Sequence, residues 1–137
     1  MSISHHLIDV QGEITVTPLE TSLAYFRAWT TGDTDTAWAL LAEDVVCLTP
    51  AGPLQGRDAV AGFMGPFAAM LTHSNLLASG GDAQESTLVY DTANAAVPSA
   101  PAAEVHAVSE GLITEIRIIF DRLPFALARG EVVRAAR

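Results

Sequence analysis

The chain has 137 residues, 50% of them hydrophobic, which suits one domain with a substantial core rather than a disordered segment. Asp and Glu outnumber the basic residues by 16 to 7, giving a net charge of −9. This excess argues against nucleic acid or an anionic membrane as a partner, because both bind clustered positive charge. No apolar run reaches membrane-spanning length, and the first residues lack the features of a signal peptide, so a cytoplasmic location is predicted.

The N-terminal part of the chain predicts an arm followed by a helix. Residues 1–16 show no helical period and are predicted to form the arm, with a short edge strand over 13–17. The segment Thr17-Pro18-Leu19-Glu20 combines a capping box with Pro at the first helical position, which is typical of a helix start. The helix is predicted to end at Gly32.

A second helix is predicted directly after this glycine. Asp33 or Thr34 would cap it, and Trp38, Leu40 and Leu41 would be among its apolar members. Two helices joined by so short a connection form a helical hairpin.

A short strand over 45–49 and a third helix over 56–71 are predicted next. Pro66 falls inside that helix, so a kink or break is expected. The single cysteine, Cys47, lies between two apolar residues of the strand. A buried, inert thiol is therefore favoured over a nucleophile.

The C-terminal half contains mostly strand patterns. Strands are predicted over 73–79 and 86–92, a loop over 93–101, a hairpin over 103–121 and a short last helix within 123–137. Three helices followed mainly by strands indicate an α+β domain.

The register of the hairpin decides which of its side chains share a face. A two-residue turn on Glu110-Gly111 would force Glu110 to positive φ, which is costly for a residue with a Cβ. A three-residue loop with Gly111 in the left-handed conformation avoids that strain, and it predicts three cross-strand pairs: Val108 with Leu112, His106 with Thr114, and Glu104 with Ile116.

Two ionisable residues, Glu104 and His106, then lie on an otherwise mostly apolar face, with Val108, Leu112, Thr114, Ile116, Ile118 and Phe120. Glu104 could serve as acid, base or hydrogen-bond donor, or it could form a cross-strand salt bridge to an arginine. His106 could transfer a proton, or it could be a core histidine bonded to Tyr25, Glu104 or a backbone carbonyl.

Several segments match one family pattern: Tyr25-Phe26-Arg27-Ala28-Trp29 with Gly32-Asp33, Leu41-Ala42-Glu43-Asp44-Val45, Gly56-Arg57-Asp58-Ala59-Val60, Tyr90-Asp91, and Glu110-Gly111-Leu112-Ile113 running to Arg117-Ile118-Ile119-Phe120-Asp121. In these segments the chain resembles the nuclear-transport-factor-2-like superfamily, SnoaL-like branch, over about residues 18–125. The resemblance implies a cone-shaped, curved mixed β-sheet wrapped by three N-terminal helices, with a pocket inside. It also implies a homodimer formed through the outer sheet face.

The resemblance also suggests functional positions. Ketosteroid isomerases of this superfamily use a tyrosine and a protonated acid to stabilise an oxyanion, and Tyr25 and Glu104 stand at those positions. Their carboxylate base is replaced here by Thr49, which cannot abstract a carbon-bound proton. The acidic residue that epoxide hydrolases and polyketide cyclases place on the last strand is replaced by Ile118.

We therefore expect a single domain over 1–137, with an arm (1–16), a core (18–125) and a tail or short helix (126–137). The predicted function is cofactor-free acid/base chemistry on an apolar, oxygen-bearing small molecule, with Glu104, His106 and Tyr25 as catalytic residues and no metal. The alternative is a non-catalytic module that binds an apolar ligand or mediates dimerisation. The predicted pocket residues are Trp29, Thr49, Phe63, Ile116, Ile118 and Phe120.

Overall fold

The computed structural model describes residues 6–8 and 14–135, which form four helices and eight strands. The helices are α1 (Pro18–Thr30), α2 (Thr34–Ala39), α3 (Arg57–Ala69) and α4 (Leu123–Ala128). The strands are β1 (His6–Ile8), β2 (Ile14–Val16), β3 (Leu41–Thr49), β4 (Gly52–Gln55), β5 (His73–Gly81), β6 (Glu85–Ala93), β7 (Ala102–Ser109) and β8 (Leu112–Phe120).

Six of the strands form one mixed sheet in the order β4-β3-β8-β7-β6-β5. All neighbours are antiparallel except β3 and β8, which run parallel. β1 and β2 pair with each other, so the described parts of the predicted arm make a two-stranded ribbon. The predicted α+β fold is confirmed.

The capping box predicted at the start of α1 is present. Thr17 Oγ1 accepts a hydrogen bond from the Glu20 N–H at 3.2 Å, and Glu20 Oε1 accepts one from the Thr17 N–H at 3.3 Å. The helix buries Tyr25, Phe26 and Trp29 against the sheet. Its start is thus fixed locally, and its position is fixed by aromatic packing.

The structure differs from the predicted helices at two points. Leu41 is not the end of the second helix but the first residue of β3, where it is fully buried opposite Ile113 of β8. α3 is not broken at Pro66 and continues to Ala69. Pro66 and the residue four positions earlier, Gly62, are both exposed, so the carbonyl freed by the proline can bond to water.

The hairpin between β7 and β8 differs from the predicted register. Its turn has two residues, with Glu110 at φ 53° and Gly111 at φ 77°. Ser109 pairs with Leu112, and Val108 pairs with Ile113. Glu110 therefore adopts the left-handed conformation that a three-residue loop would have avoided.

A β-bulge follows this turn. The pairing passes from Val108–Ile113 to Ala107–Glu115, so Thr114 is the extra residue on β8. Its hydroxyl donates a hydrogen bond to the Ala107 carbonyl at 3.2 Å.

The bulge shifts the alternation of inward and outward side chains along β8 by one residue. Ile113 and Ile116 both point into the core, whereas Leu112, which was predicted on that face, is exposed. Beyond the bulge, Glu104 lies opposite Ile118 and His106 opposite Ile116. The predicted pairing of Glu104 with Ile116 is thus wrong by two residues, yet both ionisable side chains face inward.

Replacing Glu110 by Asn should stabilise the protein by up to about 1 kcal/mol, because Asn tolerates the left-handed conformation better than Glu. The free energy of unfolding from urea titration measures the gain. The same substitution at Glu115, an exposed residue within β8, should give no gain. Equal effects at the two positions would contradict this interpretation of the turn.

Candidate functional site

The inner face of the sheet arranges buried side chains in rows across β6, β7 and β8. Cross-strand pairing defines three successive rows: Ser86, His106 and Ile116; Leu88, Glu104 and Ile118; Tyr90, Ala102 and Phe120. Glu104 thus occupies the middle row, with His106 on one side of it and Tyr90 on the other.

A chain of hydrogen bonds joins these rows to α1. Ser22 Oγ lies 2.7 Å from His106 Nδ1, and His106 Nε2 lies 2.8 Å from Glu104 Oε1. The Tyr90 hydroxyl donates to Glu104 Oε2. Both carboxyl oxygens and both ring nitrogens therefore have partners.

The chemistry of the groups fixes the direction of the chain. A carboxylate can only accept, so with Glu104 ionised His106 Nε2 carries the hydrogen that faces it. In a neutral imidazole the other nitrogen is then an acceptor, and Ser22 donates to it. All four residues are at most 1% exposed, so this is a buried polar network whose members are hydrogen-bonded.

Two further polar groups of α1 are buried near this network without a hydrogen-bond partner among the described residues. They are the Tyr25 hydroxyl and the Trp29 indole N–H, one helical turn apart. Tyr25 packs edge-on against His106 with ring centres 5.6 Å apart, and Trp29 packs in the same way against Tyr90 at the same distance. Both are donors that a ligand oxygen or an ordered water could satisfy.

Burial controls the ionisation of three groups around Glu104. It raises the pKa of Tyr25 and of Tyr90 well above the ordinary range, and the nearby Glu104 charge raises both further. Burial, followed by the Glu104 charge, raises the pKa of the Cys47 thiol from 9.0 to about 12. All three groups stay protonated at neutral pH, and Cys47 is a poor nucleophile.

A cavity of about 450 Å³ lies at the Tyr90 end of the network, between α3, α4 and the sheet. A volume of this size suits a small organic molecule. Its apolar wall includes Phe63, Met64, Phe67, Ile118, Phe120 and Phe125. Its polar wall residues are Tyr90, Thr92, Asn94, Arg122 and Arg129.

The predicted pocket residues divide into two groups. Phe63, Ile118 and Phe120 line this cavity. Trp29 and Ile116 are buried in the core instead. Thr49 holds the turn between β3 and β4, where its hydroxyl donates to the Gly52 carbonyl at 2.8 Å.

The three predicted catalytic residues are close to one another but stand behind the cavity wall. Glu104 and His106 are bonded directly, and Tyr25 contacts the His106 ring. Glu104 reaches the cavity through Tyr90, which lines it.

Sequence reasoning missed Tyr90 and Ser22 as members of the site. The alternation along β6 carried a signal for Tyr90, since it shares the buried face with Ser86 and Leu88. Ser22 lies three residues before Tyr25 and so on the same face of α1. A serine at that position gives no sign by itself that it contacts a histidine 84 residues later.

Within the part of the chain that the structure describes, no three His, Cys, Asp or Glu side chains group closely enough to hold a metal ion. No helix of these residues is both long and apolar enough to cross a membrane.

Comparison with known proteins identifies the family. The family model described as "SnoaL-like domain" matches residues 23–116, more than two thirds of the chain. The chain belongs to the SnoaL-like domain family. The match includes Tyr90, Glu104 and His106 of the network, and it begins one residue after Ser22.

Solved structures share the fold. A protein from Kribbella flavida DSM 17836 is 49% identical, with a TM-score of 0.82, over 85% of this chain and 97% of its own. A cystatin-like protein of unknown function from Xanthomonas campestris has 15% identity and a TM-score of 0.72, covering 82% and 98%. A candidate polyketide cyclase from Sinorhizobium meliloti has 18% identity and a TM-score of 0.65, covering 73% and 94%. No curated protein sequence matches the chain.

Two tyrosine-to-phenylalanine substitutions should differ in their effect on stability, because only Tyr90 is hydrogen-bonded to Glu104. Tyr90→Phe removes a donor to the buried Glu104 and should lower the free energy of unfolding by about 1–3 kcal/mol. Tyr25→Phe removes a hydroxyl that has no partner among the described residues, so it should be neutral or slightly stabilising. Urea denaturation measures both, and an equal loss in the two variants would refute the proposed network.

Stability should fall at alkaline pH because Cys47 has a higher pKa in the folded protein than when unfolded. Its contribution is complete below about pH 9 and declines as pH rises toward 12, since the unfolded chain loses the thiol proton first. Cys47→Ala should show a shallower decline of the unfolding free energy over this range.

Ellman's reagent should label native Cys47 at pH 9 far more slowly than the urea-unfolded chain, and equally fast labelling would argue against a buried thiol.

Proposed function

We propose that this SnoaL-like protein binds an apolar, oxygen-bearing small molecule in the cavity and promotes a cofactor-free proton transfer on it. The main observation that supports this proposal is the hydrogen bond between Tyr90 and Glu104. It connects a residue of the cavity wall to a buried carboxyl group that is itself held by His106.

The geometry supports a proton relay. Tyr90 Oη could take a proton from the ligand while its own proton moves to Glu104 Oε2. The ligand becomes an anion, Tyr90 stays neutral, and Glu104 becomes a carboxylic acid. The raised pKa of Tyr90 suits this route, because a relay needs no free tyrosinate.

His106 and Ser22 act in this proposal as positioning residues. His106 holds one oxygen of Glu104, which leaves the other directed at Tyr90. Ser22 bonds to the other ring nitrogen and so holds the orientation of the imidazole. Return of the proton to a different ligand atom would make the reaction an isomerisation, and intramolecular attack by the anion would make it a cyclisation.

Tyr25 is proposed as a donor to a ligand oxygen that reaches past the wall. Its hydroxyl is buried and has no partner among the described residues. In the ligand complex, Tyr25→Phe would then weaken binding although it leaves the free protein stable.

A binding role without turnover is the second candidate. One observation favours it: Glu104 and His106 do not line the cavity and are almost completely buried. A ligand could then be held by the apolar wall alone.

A homodimer through the outer sheet face is also proposed. Leu77 on β5 and Ile119 on β8 are each more than half exposed, which a second copy could cover.

Deuterium exchange tests catalysis without knowledge of the natural substrate. The protein is incubated in D₂O with a panel of small apolar ketones, and incorporation next to the carbonyl is followed by NMR. Wild-type protein should accelerate exchange for at least one ketone that it binds. Glu104→Gln should lower that rate about 100-fold or more, and Tyr90→Phe should lower it comparably.

The matched control is Glu115→Gln, which removes an exposed carboxylate from β8. It should exchange like the wild type. Binding without exchange by the wild type would favour the second candidate, and full exchange in Glu104→Gln would refute the relay.

A further inference from the structure

The polar groups of the cavity wall differ in whether they are already hydrogen-bonded. The Tyr90 hydroxyl donates to Glu104, and the Thr92 hydroxyl donates to the Ala100 carbonyl at 3.5 Å. Asn94 Oδ1 accepts from the N–H groups of Ala96 and Val97 at 2.9 and 2.8 Å. The side-chain amide nitrogen of Asn94 makes no hydrogen bond within the described residues, and it is a donor.

Two arginines complete the polar wall. Arg129 forms an ion pair with Glu131 at 2.7 Å, with both side chains more than half exposed. The guanidinium of Arg122 has no ion-pair partner among the described residues, although Glu131 is near enough to feel its charge. Exposed ion pairs such as Arg129–Glu131 contribute little to the stability of the fold, so a ligand can replace them.

The charge of this wall is opposite to that of the chain. The protein carries 16 acidic residues and 7 arginines, yet the cavity wall contains two arginines and no Asp or Glu. The nearest acids along the chain, Asp121 and Glu131, bond to the Leu123 N–H and to Arg129. The free side-chain donors are therefore not matched by any free carboxylate in the wall.

Asn94 and Arg122 lie at the same end of the sheet. The row formed by Tyr90 and Phe120 is the last one that β6, β7 and β8 share. Asn94 lies just beyond the end of β6, four residues after Tyr90, and Arg122 lies just beyond the end of β8, two residues after Phe120. The carboxylate of Asp91 holds the intervening loop through the Ala100 N–H at 2.8 Å. Asn94 is thus held in place before any ligand arrives.

Arg122 is positioned by α4. Its carbonyl accepts the Ala126 N–H, and Phe125 of the helix packs against Phe67 and Phe120 of the cavity wall. The helix therefore places a cation at the edge of an aromatic surface.

We propose that the ligand of this cavity is an apolar molecule that carries a carboxylate, bound by the Arg122 guanidinium and the Asn94 amide N–H. The proposal rests on the proposed function, since it names the substrate class of the same cavity. Arginine binds a carboxylate through two parallel hydrogen bonds, and the aromatic wall takes the apolar body. A ligand with only hydrogen-bond donors would find no free side-chain acceptor of comparable strength.

Two near-isosteric probes test the charge directly: naphthalene-1-acetate and naphthalene-1-acetamide, titrated by isothermal calorimetry at low and moderate salt. Wild-type protein should bind the acetate about tenfold more tightly than the amide, because a charged hydrogen bond is the stronger one. The preference should shrink as salt is added.

Three variants test which residues cause the tighter binding of the acetate. Arg122→Gln should bring the acetate and amide affinities within about threefold of each other while the amide affinity stays unchanged. Asn94→Asp keeps the oxygen that anchors the loop but replaces the donor with an anion, so it should weaken acetate binding selectively. Arg117→Gln, an exposed change on β8 away from the cavity wall, should behave like the wild type.

The outcomes separate the two proposals. Equal binding of both probes by the wild type, or an unchanged preference in Arg122→Gln, overturns the carboxylate proposal and leaves apolar binding intact. Failure of the wild type to bind either probe contradicts both proposals.

Discussion

Glu104 is an acid with 1% exposure in the middle of a sheet, and the structure around it is arranged to satisfy its two oxygens. A buried carboxyl group without partners would cost several kcal/mol, so the His106 and Tyr90 hydrogen bonds stabilise the folded protein. The consequence is a polar network that extends from α1 to the wall of the cavity. In the proposed relay the proton passes through Tyr90, because Glu104 itself does not line the cavity.

The hairpin and its bulge make this arrangement possible. The extra residue Thr114 changes the alternation of β8, so that Ile113, Ile116 and Ile118 all point inward. Strain at Glu110 costs about 1 kcal/mol, whereas full burial of one isoleucine contributes about 1.5–3 kcal/mol. The register that buries Ile113 therefore prevails over the register that relieves the turn.

The balance between turn strain and burial also explains which parts of the fold could be predicted from the sequence. Capping at Thr17, strand patterns and family motifs predicted the α+β fold, and alternation along β7 placed Glu104 and His106 together on the inner face. The register was wrong because turn strain was weighed without the burial of β8, which depends on contacts across the sheet. Ser22 and Asn94 gave no sequence signal, because their roles arise from contacts with distant strands or from the fold of one loop.

Membership of the SnoaL-like domain family does not determine the chemistry of the cavity. Tyr90 links the cavity to the buried carboxyl group of Glu104. A crystal structure of the protein with a bound ketone tests that link most directly. The account predicts ligand density in the cavity with an oxygen roughly 2.6–3.2 Å from the Tyr90 hydroxyl, which still bonds to Glu104. A ligand bound elsewhere, or a cavity filled by the chain's own side chains, would contradict it.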